Sequence, residues 1–241
     1  MTVADPTLRL ERRMLREGAA MVIGCDEVGR GAIAGPVGVG LSVYDGTARG
    51  IPTGLRDSKM LPEPKREALH PVVQTWSRHH AVGLASNEEV ESVGIIAALG
   101  IAAMRAFAGL LAEGVVFTDA VVLLDGSHDW LSPALHRAEP VARGAADFGA
   151  VTRPTVTTKV KADRDCAVVA AASVLAKVHR DRVMIAADDQ HPGYGWPGNK
   201  GYASSEHYAA IDRLGASALH RWSWLRQPGL FDLELGGEQT A

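Results

Sequence analysis

Residues 24–40 read GCDEVGRGAIAGPVGVG, and this stretch decides how the chain folds. An apolar run at 20–27 ends in the adjacent carboxylates of Asp26 and Glu27, and alternating small and apolar residues follow at 35–44. The pattern predicts two consecutive strands joined by a glycine-rich turn. Two like charges at a strand end repel each other, so something must balance them.

The rest of the chain is patterned as a mixed α/β sheet. Further strands are expected near 80–86, 119–126 and 155–163, where apolar or β-branched residues run together. Helices are expected from about Pro64, from Asn87 (as N-cap) to Glu113, and from near Asp163 through an alanine-rich stretch. This alternation of strands and helices indicates the α/β class.

Composition limits what the protein can be. With 241 residues, 46% of them hydrophobic, the chain can bury a sizeable core, and we expect one domain with an appended subdomain. The formal net charge of −3 gives no sign of a nucleic-acid partner, so such a partner would need a local basic surface. The window 153–182 offers one, with seven basic residues against three acidic ones.

Cysteine usage and hydropathy predict a cellular location. Cys25 and Cys166 cannot build a disulfide framework and belong to no CxxC pair, which favours a reducing, cytoplasmic environment. The first twenty residues are charged and lack the apolar segment of a signal peptide. No later window holds eighteen uninterrupted apolar residues, so we expect a soluble protein without membrane association.

Four acids follow predicted strands. Asp26 and Glu27 end the first strand, Asp125 ends VVLLD, and Asp163 follows TTKVKA. Because the carboxyl ends of adjacent strands form the ligand crevice of α/β sheets, these acids are predicted to converge there. Each acid alone is explained more simply as a helix cap or a solvated strand end. Together they favour hard divalent cations such as Mg²⁺ or Mn²⁺, which take oxygen ligands and remove the repulsion.

One geometric condition applies to the first two acids. Neighbouring side chains of a regular strand point to opposite faces, so Asp26 and Glu27 cannot both reach one metal cluster from such a strand. We therefore expect the chain to bend at these acids, a bend that Gly29 and Gly31 would permit.

Several sequence blocks together resemble a known family. DEVGRG, RDSKML, VVLLDG, KVKAD before AAASVLAKVHRDRVM, and NKGY stand in the order of prokaryotic ribonuclease HII, a type 2 ribonuclease H, over roughly residues 20–225. The resemblance implies a ribonuclease H-like fold: a five-stranded mixed sheet flanked by helices, with a C-terminal helical subdomain. It also implies a two-metal endonuclease, using Mn²⁺ or Mg²⁺, that cleaves the RNA of RNA/DNA hybrids. Incision 5′ to single ribonucleotides in duplex DNA, leaving 3′-hydroxyl and 5′-phosphate ends, is implied as well.

The resemblance also assigns roles to individual residues. The family's metal-binding acids fall on Asp26, Glu27, Asp125 and Asp163. Its GRG element, which contacts the strand at the RNA–DNA junction, falls on Gly29, Arg30 and Gly31, and its junction-sensing tyrosine falls on Tyr202. The chain departs from the family pattern in DSKML for DSKKL, KAD for KGD, and DGSHDWL after the third acid. The first departure removes a positive charge, and none removes an acid.

Other polar residues near these blocks are predicted to bind the substrate backbone or to support the fold. They are Ser58, Lys59, Ser173 and Lys177. If a helix starts near Asp163, Lys177 lies about 21 Å along it at ~1.5 Å per residue, too far to touch the metals. His128 and Asp129 follow Asp125 closely, but a surface position in a loop is favoured for both.

The chain is divided into four predicted segments. They are a 1–19 N-terminal extension, a 20–190 catalytic domain, a 191–226 helical subdomain completing the substrate groove, and a 227–241 flexible tail. The tail contains QPGLF, similar to the short peptides by which bacterial repair proteins engage the sliding clamp. Gln227, Leu230 and Phe231 are the candidate clamp contacts, although a tail packed on its own domain remains the alternative. A monomer is expected.

Two other functions compete with this interpretation. Another two-metal nuclease on the same fold, a junction resolvase or type 1 ribonuclease H, shares the acids but leaves GRG and NKGY unexplained. The second alternative is a module that binds RNA/DNA hybrids but whose acids no longer catalyse, and such a protein would not cleave the hybrid. Ribonuclease HIII is disfavoured because residues 1–19 leave no room for its additional N-terminal domain.

Overall fold

A five-stranded mixed sheet forms the centre of the computed structural model, which describes residues 5–136 and 153–225. Its strands are β1 (Met21–Val28), β2 (Val37–Tyr44), β3 (His80–Ala85), β4 (Ala120–Asp125) and β5 (Thr155–Lys159). Their order across the sheet is β3-β2-β1-β4-β5. β2 runs antiparallel to β1 and β3, whereas β1, β4 and β5 are parallel. The expected mixed sheet flanked by helices is confirmed.

Helices cover both faces of the sheet and continue past its last strand. They are α1 (Arg9–Arg16), α2 (Glu63–Ser77), α3 (Asn87–Val93), α4 (Ile95–Ala112), α5 (Ser132–Leu135), α6 (Ala162–Asp165), α7 (Ala167–Ala187), α8 (Trp196–Asn199) and α9 (Ser205–Leu214). Short 3-10 turns occupy Ser58–Met60 and Trp222–Trp224. The main apolar core lies between the sheet and α4, and a second core lies between the sheet and α7.

Glycines let the two long helices lie directly on the sheet. A Cβ at Gly24 or Gly40 would come within 2.3 Å of the Val168 carbonyl oxygen and 2.4 Å of the Ala172 carbonyl oxygen, respectively, both on α7. On the other face, a Cβ at Gly83 would lie 2.0 Å from a carbonyl oxygen of α4. Real Cβ atoms do not come so close, so the backbones of helix and strand are in van der Waals contact.

Helix α4 is long and apolar enough to span a membrane by length and composition. In this protein 56% of that segment is buried inside the fold. A helix packed on a sheet in this way is also the form of a core helix in a soluble protein.

Two predicted elements are divided in the structure. The helix expected from Asn87 to Glu113 is wrong as one element, because Gly94 (φ 78°) separates α3 from α4. Asn87 is not the N-cap: the Ser86 hydroxyl accepts from the Glu89 N–H (3.1 Å), and the Glu89 carboxylate accepts from the Ser86 N–H (2.9 Å). The amide of Asn87 instead donates to the Ala218 carbonyl (2.8 Å), tying α3 to the C-terminal part.

The helix expected from near Asp163 is also interrupted. Strand β5 ends at Lys159, and Lys161 in the left-handed conformation (φ 59°) turns the chain into α6. Cys166 is extended (φ −117°), so α6 and α7 are separate helices. Because of this corner, Asp163 lies in a short helix next to the sheet edge rather than at the start of α7.

Candidate active site

The four predicted acids lie at the edge of the sheet where β1 and β4 end. Parallel pairing between these strands stops at Cys25 and Leu124, although β1 continues along β2 to Val28. Beyond that point β1 and β4 are no longer hydrogen-bonded, and Asp26 and Asp125 follow at the opening. The Asp163 N–H donates to Oδ1 of Asp125 (3.3 Å), which brings α6 to the same edge.

The acids share this edge without forming a ready set of metal ligands. Within residues 5–136 and 153–225, no three His, Cys, Asp or Glu side chains are arranged as a group that could hold a metal ion. The acids thus lie near one edge of the sheet, but no three of them are arranged as ligands of one ion. The role of the acids as metal ligands stays a prediction.

The bend expected between the first two acids is wrong. Asp26 and Glu27 both remain in the β1–β2 ladder, opposite Gly40 and Val39, and the strand continues to Val28. Regular pairing places the two side chains on opposite faces of the sheet. The chain turns only afterwards, at Gly29 (φ 76°).

The two acids consequently have different surroundings. Asp26 is 3% exposed, and its Oδ1 accepts from the Glu27 N–H (2.9 Å). The side chain of Glu27 is 20% exposed and forms an ion pair with Arg30 (3.3 Å). Asp26 is thus the buried member of the pair, and Glu27 the one open to solvent.

Negative charge accumulates around Asp26. Burial is the main cause that raises the pKa of Asp26, to about 8. The charges of Glu27 and Asp125 raise this pKa further, whereas Lys59 and the hydroxyl of Ser173 lower it. A carboxylate so poorly compensated is the situation that a bound cation would relieve.

A fifth acid, Asp57, belongs to the same site and was not selected in the sequence analysis. It is 2% exposed, and its Oδ1 accepts from the Lys59 N–H (2.9 Å), capping the 3-10 turn Ser58–Met60. Burial raises the pKa of Asp163 to about 6, and the charges of Asp125 and Asp57 add to the increase. The sequence feature that could have identified Asp57 is its place in the block RDSKML, directly before Ser58 and Lys59.

Lys59 and Arg164 are basic side chains that face this group of acids, and Arg164 pairs with Asp57 (3.8 Å). Partial burial opposes protonation of the Lys59 amine, but the surrounding carboxylates outweigh burial and raise the pKa of Lys59. The carboxylates responsible are, in decreasing order, those of Asp26, Asp57, Asp163 and Glu27. Lys59 therefore supplies positive charge to the site from the protein itself.

Ser58 and Ser173 support the site from beneath. Both are buried, and the Ser173 hydroxyl donates to the Ser58 hydroxyl (2.8 Å). This contact joins the 3-10 turn to α7 under Asp26, which favours the structural role considered for both serines. Lys177 lies further along α7, where its ammonium binds Asp181 (2.6 Å).

Tyr202 lies next to the glycine-rich turn that follows β1. Its hydroxyl accepts a hydrogen bond from the Gly29 N–H (3.2 Å), so the GRG element and the tyrosine are in contact. Lys177 and Arg180 approach the face of its ring, at 5.4 and 5.3 Å from the centroid. Tyr202 is partly exposed.

Arg180, one of the seven basic residues of the window 153–182, does not contribute to an exposed basic surface. Its guanidinium is fully buried and donates to the carbonyls of Ala34 (3.0 Å), Pro36 (2.7 Å) and Lys200 (2.8 Å). A Cβ at Gly29 would lie 2.1 Å from Nε of Arg180. The guanidinium thus holds the turn after β1 against the C-terminal helices.

The turn keeps two backbone donors free. Arg221 donates to the carbonyls of Arg30 (3.2 Å) and Gly35 (3.0 Å), so the carbonyls of the turn point inward. Within the described chain, the N–H groups of Arg30 and Gly31 have no acceptor. A Cβ at Gly31 would meet no atom within 4 Å. The fold itself therefore does not require glycine there, and the exposed backbone is open to a ligand.

Two buried histidines position Tyr202 and were not singled out from the sequence. Nδ1 of His207 lies 2.9 Å from the Tyr202 carbonyl oxygen, and its Nε2 accepts from the Trp196 indole N–H (3.2 Å). His220 Nδ1 accepts from the Ser217 N–H (2.9 Å), and its Nε2 contacts His207 Nε2 (3.1 Å). Desolvation is the largest cause that lowers the pKa of His220, to about 4, and burial lowers the pKa of His207 as well.

The loop after β4 holds no candidate for the acid group. Oδ1 of Asp129 accepts from the N–H groups of Leu131 (3.1 Å) and Ser132 (2.9 Å), which caps α5. Asp129 therefore has a structural role, in agreement with the loop position favoured for it. The clamp candidates Gln227, Leu230 and Phe231 lie outside the described residues.

The raised pKa of Asp26 predicts how the stability of the protein depends on pH. In the folded protein this pKa, about 8, exceeds the ordinary value of 3.8, so the folded state holds a proton that the unfolded state has lost. Stability of the metal-free protein should therefore fall as pH rises from 5 to 8. Asp26→Asn, which mimics the protonated acid, should melt at a higher temperature than the parent, and its advantage should grow over that range. Thermal unfolding in chelator checks this; an advantage that shrinks with pH contradicts it.

Comparison with known proteins identifies the family. The family model of ribonuclease HII matches residues 23–227. A ribonuclease HII of Streptomyces griseus is 41% identical over 228 residues, covering 93% of this chain and 86% of that protein. A ribonuclease HII of Caulobacter vibrioides is 39% identical and covers 91% of this chain and 90% of that protein.

Solved structures with this fold are similar at low sequence identity. Ribonuclease H2 of Pyrococcus horikoshii aligns with a TM-score of 0.60 at 23% identity, covering 85% of this chain and 93% of that one. The ribonuclease HII from an Archaeoglobus fulgidus complex with PCNA gives 0.59 at 22%, covering 88% and 99%. A Bst ribonuclease HIII in complex with Mn²⁺ gives 0.61 at 21%, covering 84% and 65%. The ribonuclease H-like fold is confirmed, and the chain belongs to the ribonuclease HII family of metal-dependent endoribonucleases.

Proposed function

We propose that this protein hydrolyses the RNA strand of RNA/DNA hybrids and incises duplex DNA 5′ to single embedded ribonucleotides. The products would carry 3′-hydroxyl and 5′-phosphate ends. Membership of the ribonuclease HII family supports cleavage of hybrids. The observation that carries the proposal is the buried, poorly compensated carboxylate of Asp26 beside Glu27 and Asp125, at an open edge of the sheet.

The donor set fits hard divalent cations. Carboxylate oxygens are the ligands that Mg²⁺ and Mn²⁺ prefer, and the described acids of the site offer no soft ligand. Asp26, Asp125 and Asp163 would hold two such ions, and Glu27, whose charge acts on Asp26 and Lys59 although it lies on the other face of β1, would reach them around the edge of the sheet. When bound, these ions supply activation of water and stabilisation of the leaving 3′ oxygen. The solved Mn²⁺ complex of a Bst ribonuclease HIII supports this choice of metal for the fold.

The chain's own residues would bind and orient the substrate. The free N–H groups of Arg30 and Gly31 suit a phosphate or a sugar hydroxyl, and no side chain at Gly31 prevents close approach. The 2′-hydroxyl is the group that distinguishes RNA from DNA at one nucleotide. Tyr202, fixed against Gly29, would pack on the deoxyribose of the following nucleotide, where an added hydroxyl would clash. Lys59 would stabilise negative charge beside the acids.

Removal of one acid tests the proposed chemistry. Asp125→Asn should lower cleavage of a duplex containing a single ribonucleotide by more than about 100-fold, since even indirect metal partners cost ~10- to 100-fold when removed. The parent should cleave with Mg²⁺ and fail in chelator. Exposed Asp212→Asn serves as the matched control and should keep the parental rate. A parent without cleavage, or an Asp125→Asn protein at the parental rate, would refute the proposal; gel analysis of labelled products decides.

Tyr202 provides a test of junction recognition. Tyr202→Ala should reduce kcat/KM on the single-ribonucleotide duplex at least about 10-fold more than on a long hybrid, a difference of ~1.4 kcal/mol in transition-state stabilisation. Tyr202→Phe keeps the ring and removes only the hydroxyl that accepts from Gly29, so it should lose less. Both rates are measured under single-turnover conditions. Equal activity of Tyr202→Ala and parent on the single-ribonucleotide duplex would rule out this role.

We also propose that the C-terminal tail binds the sliding clamp. Its QPGLF sequence at 227–231 supports this, as does the solved complex of an archaeal ribonuclease HII with PCNA. Leu230 and Phe231 would enter an apolar pocket of the clamp, and Gln227 would fix the polar register.

Deletion of residues 227–241 tests the clamp proposal. The truncated protein should lose retention by immobilised bacterial clamp while keeping the parental cleavage rate, because the tail follows the described catalytic residues. A Leu230→Ala, Phe231→Ala variant should lose retention as well. Retention of the truncated protein at the parental level would end this idea.

A further inference from the structure

Helix α1 carries a stripe of arginines on one face. Arg9, Arg12, Arg13 and Arg16 follow the spacing i, i+3, i+4 and i+7, which aligns side chains along a helix. All four are exposed. We call these four residues the arginine stripe. The opposite face of α1 packs on the protein through the buried Glu11, and Leu8, the residue before α1, is buried as well.

The stripe is held firmly against the body of the catalytic domain. The Thr7 N–H donates to the Asp165 carbonyl (2.9 Å), and the Ala167 N–H donates to the Thr7 carbonyl (3.0 Å). One turn later, the fully buried Glu11 carboxylate accepts from the Val168 N–H (3.1 Å). These bonds fix α1 to the corner between α6 and α7, two residues from Asp163.

A groove of about 830 Å³ separates the arginine stripe from β5. Its strand side is formed by Thr157, Thr158 and Lys159, and no acidic residue lines it. Since β5 is the last strand of the sheet among residues 5–136 and 153–225, its outer backbone groups have no partner strand in that part of the chain. The groove therefore combines guanidinium groups, threonine hydroxyls and exposed backbone groups, all suited to an anionic ligand.

Most of the stripe's charge is uncompensated. Arg13 forms an exposed ion pair with Glu17 (3.7 Å), whereas Arg9, Arg12 and Arg16 have no acidic partner among the residues that the structure describes. Several other surface arginines are paired, as Arg182 is with Glu67. A row of mostly unpaired arginines in a protein of net charge −3 concentrates positive potential at one place.

One lining residue of the groove is a neighbour of the acids. This residue, Lys159, lies opposite Asp125 in the β4–β5 register and pairs with Asp165 of α6. From Arg9 to Arg16 the stripe extends about 10.5 Å, at ~1.5 Å per residue. This length matches about three base-pair steps of ~3.4 Å along a duplex.

We propose that the groove between the arginine stripe and β5 binds the sugar-phosphate backbone of the substrate duplex beside the cleavage site. This inference rests on the proposed function and adds a binding surface from the N-terminal extension. The arginines would contact phosphates, and Thr157 and Thr158 would donate from the strand side. Such contacts position the duplex without reading its sequence.

Salt-dependent binding tests the groove. The probe is a fluorescent RNA/DNA hybrid, titrated with full-length Asp125→Asn protein in Mg²⁺ over a range of KCl concentrations. Adding Arg12→Gln and Arg16→Gln should weaken binding about 10-fold at low salt. The slope of log Kd against log salt should fall by about 1.8, since each lost phosphate contact removes ~0.9. Arg12→Lys with Arg16→Lys keeps both charges and should restore most of the slope.

A matched pair of charge removals controls for net charge. Arg49 and Arg78 are exposed cations that do not line the groove. Arg49→Gln with Arg78→Gln in the same background should leave the salt slope unchanged. Thermal unfolding verifies that each protein is folded, and Arg16→Gln alone, with an expected slope change of about 0.9, replaces the pair if it unfolds.

The outcomes separate the two proposals. If the Asp125→Asn protein binds neither hybrid nor duplex DNA, the proposed function fails. If it binds the hybrid but the stripe variant matches the Arg49→Gln, Arg78→Gln control in affinity and slope, the groove proposal is overturned and the proposed function stands. A loss shared by the hybrid and an all-DNA duplex supports backbone contact.

Discussion

The buried guanidinium of Arg180 is the interaction on which the geometry of the site depends. It bonds to carbonyls from the turn after β1 and from the residue before Gly201, so it joins the sheet to the C-terminal helices. Burial is the first cause that lowers the pKa of Arg180, and the carbonyl oxygens replace the water that it has lost. Arg221 binds the same turn from a second direction. With its carbonyls turned inward, the turn presents N–H groups outward.

Around this frame the protein gathers charge of both signs. Buried Asp26 and Asp57 lie at the sheet edge with Asp125 and Asp163, and Lys59 is held among them. Repulsion between the acids is only partly offset, which makes the edge receptive to cations. Basic groups lie further out, on α1. The charge pattern is therefore negative at the centre, where the proposed metal ions would bind, and positive at the margin, where the proposed backbone contacts would form.

The sequence allowed the sheet and the acids to be predicted for a physical reason: apolar runs with β-branched residues form strands, and acids directly after such runs must lie at strand ends. The division at Gly94 was not predictable from periodicity, because the residues of α3 and α4 together read as one continuous helical pattern. The expected bend at Asp26 and Glu27 failed because pairing with β2 keeps both in the ladder. Asp57 and α1 were missed because their importance comes from contacts over more than a hundred residues, such as Glu11 with Val168.

The glycines beneath α7 determine how precisely Asp26 is positioned relative to Ser173. Because Gly24 and Gly40 bring strand and helix backbones into contact, the spacing between them is set by atoms that have no rotamers. Asp26 projects from β1 on the same face as Gly24, and Ser173 projects from α7 beside it. The distance between the Asp26 carboxylate and the Ser173 hydroxyl is therefore fixed by contact between two backbones. Movements of side chains elsewhere in the core change this distance little.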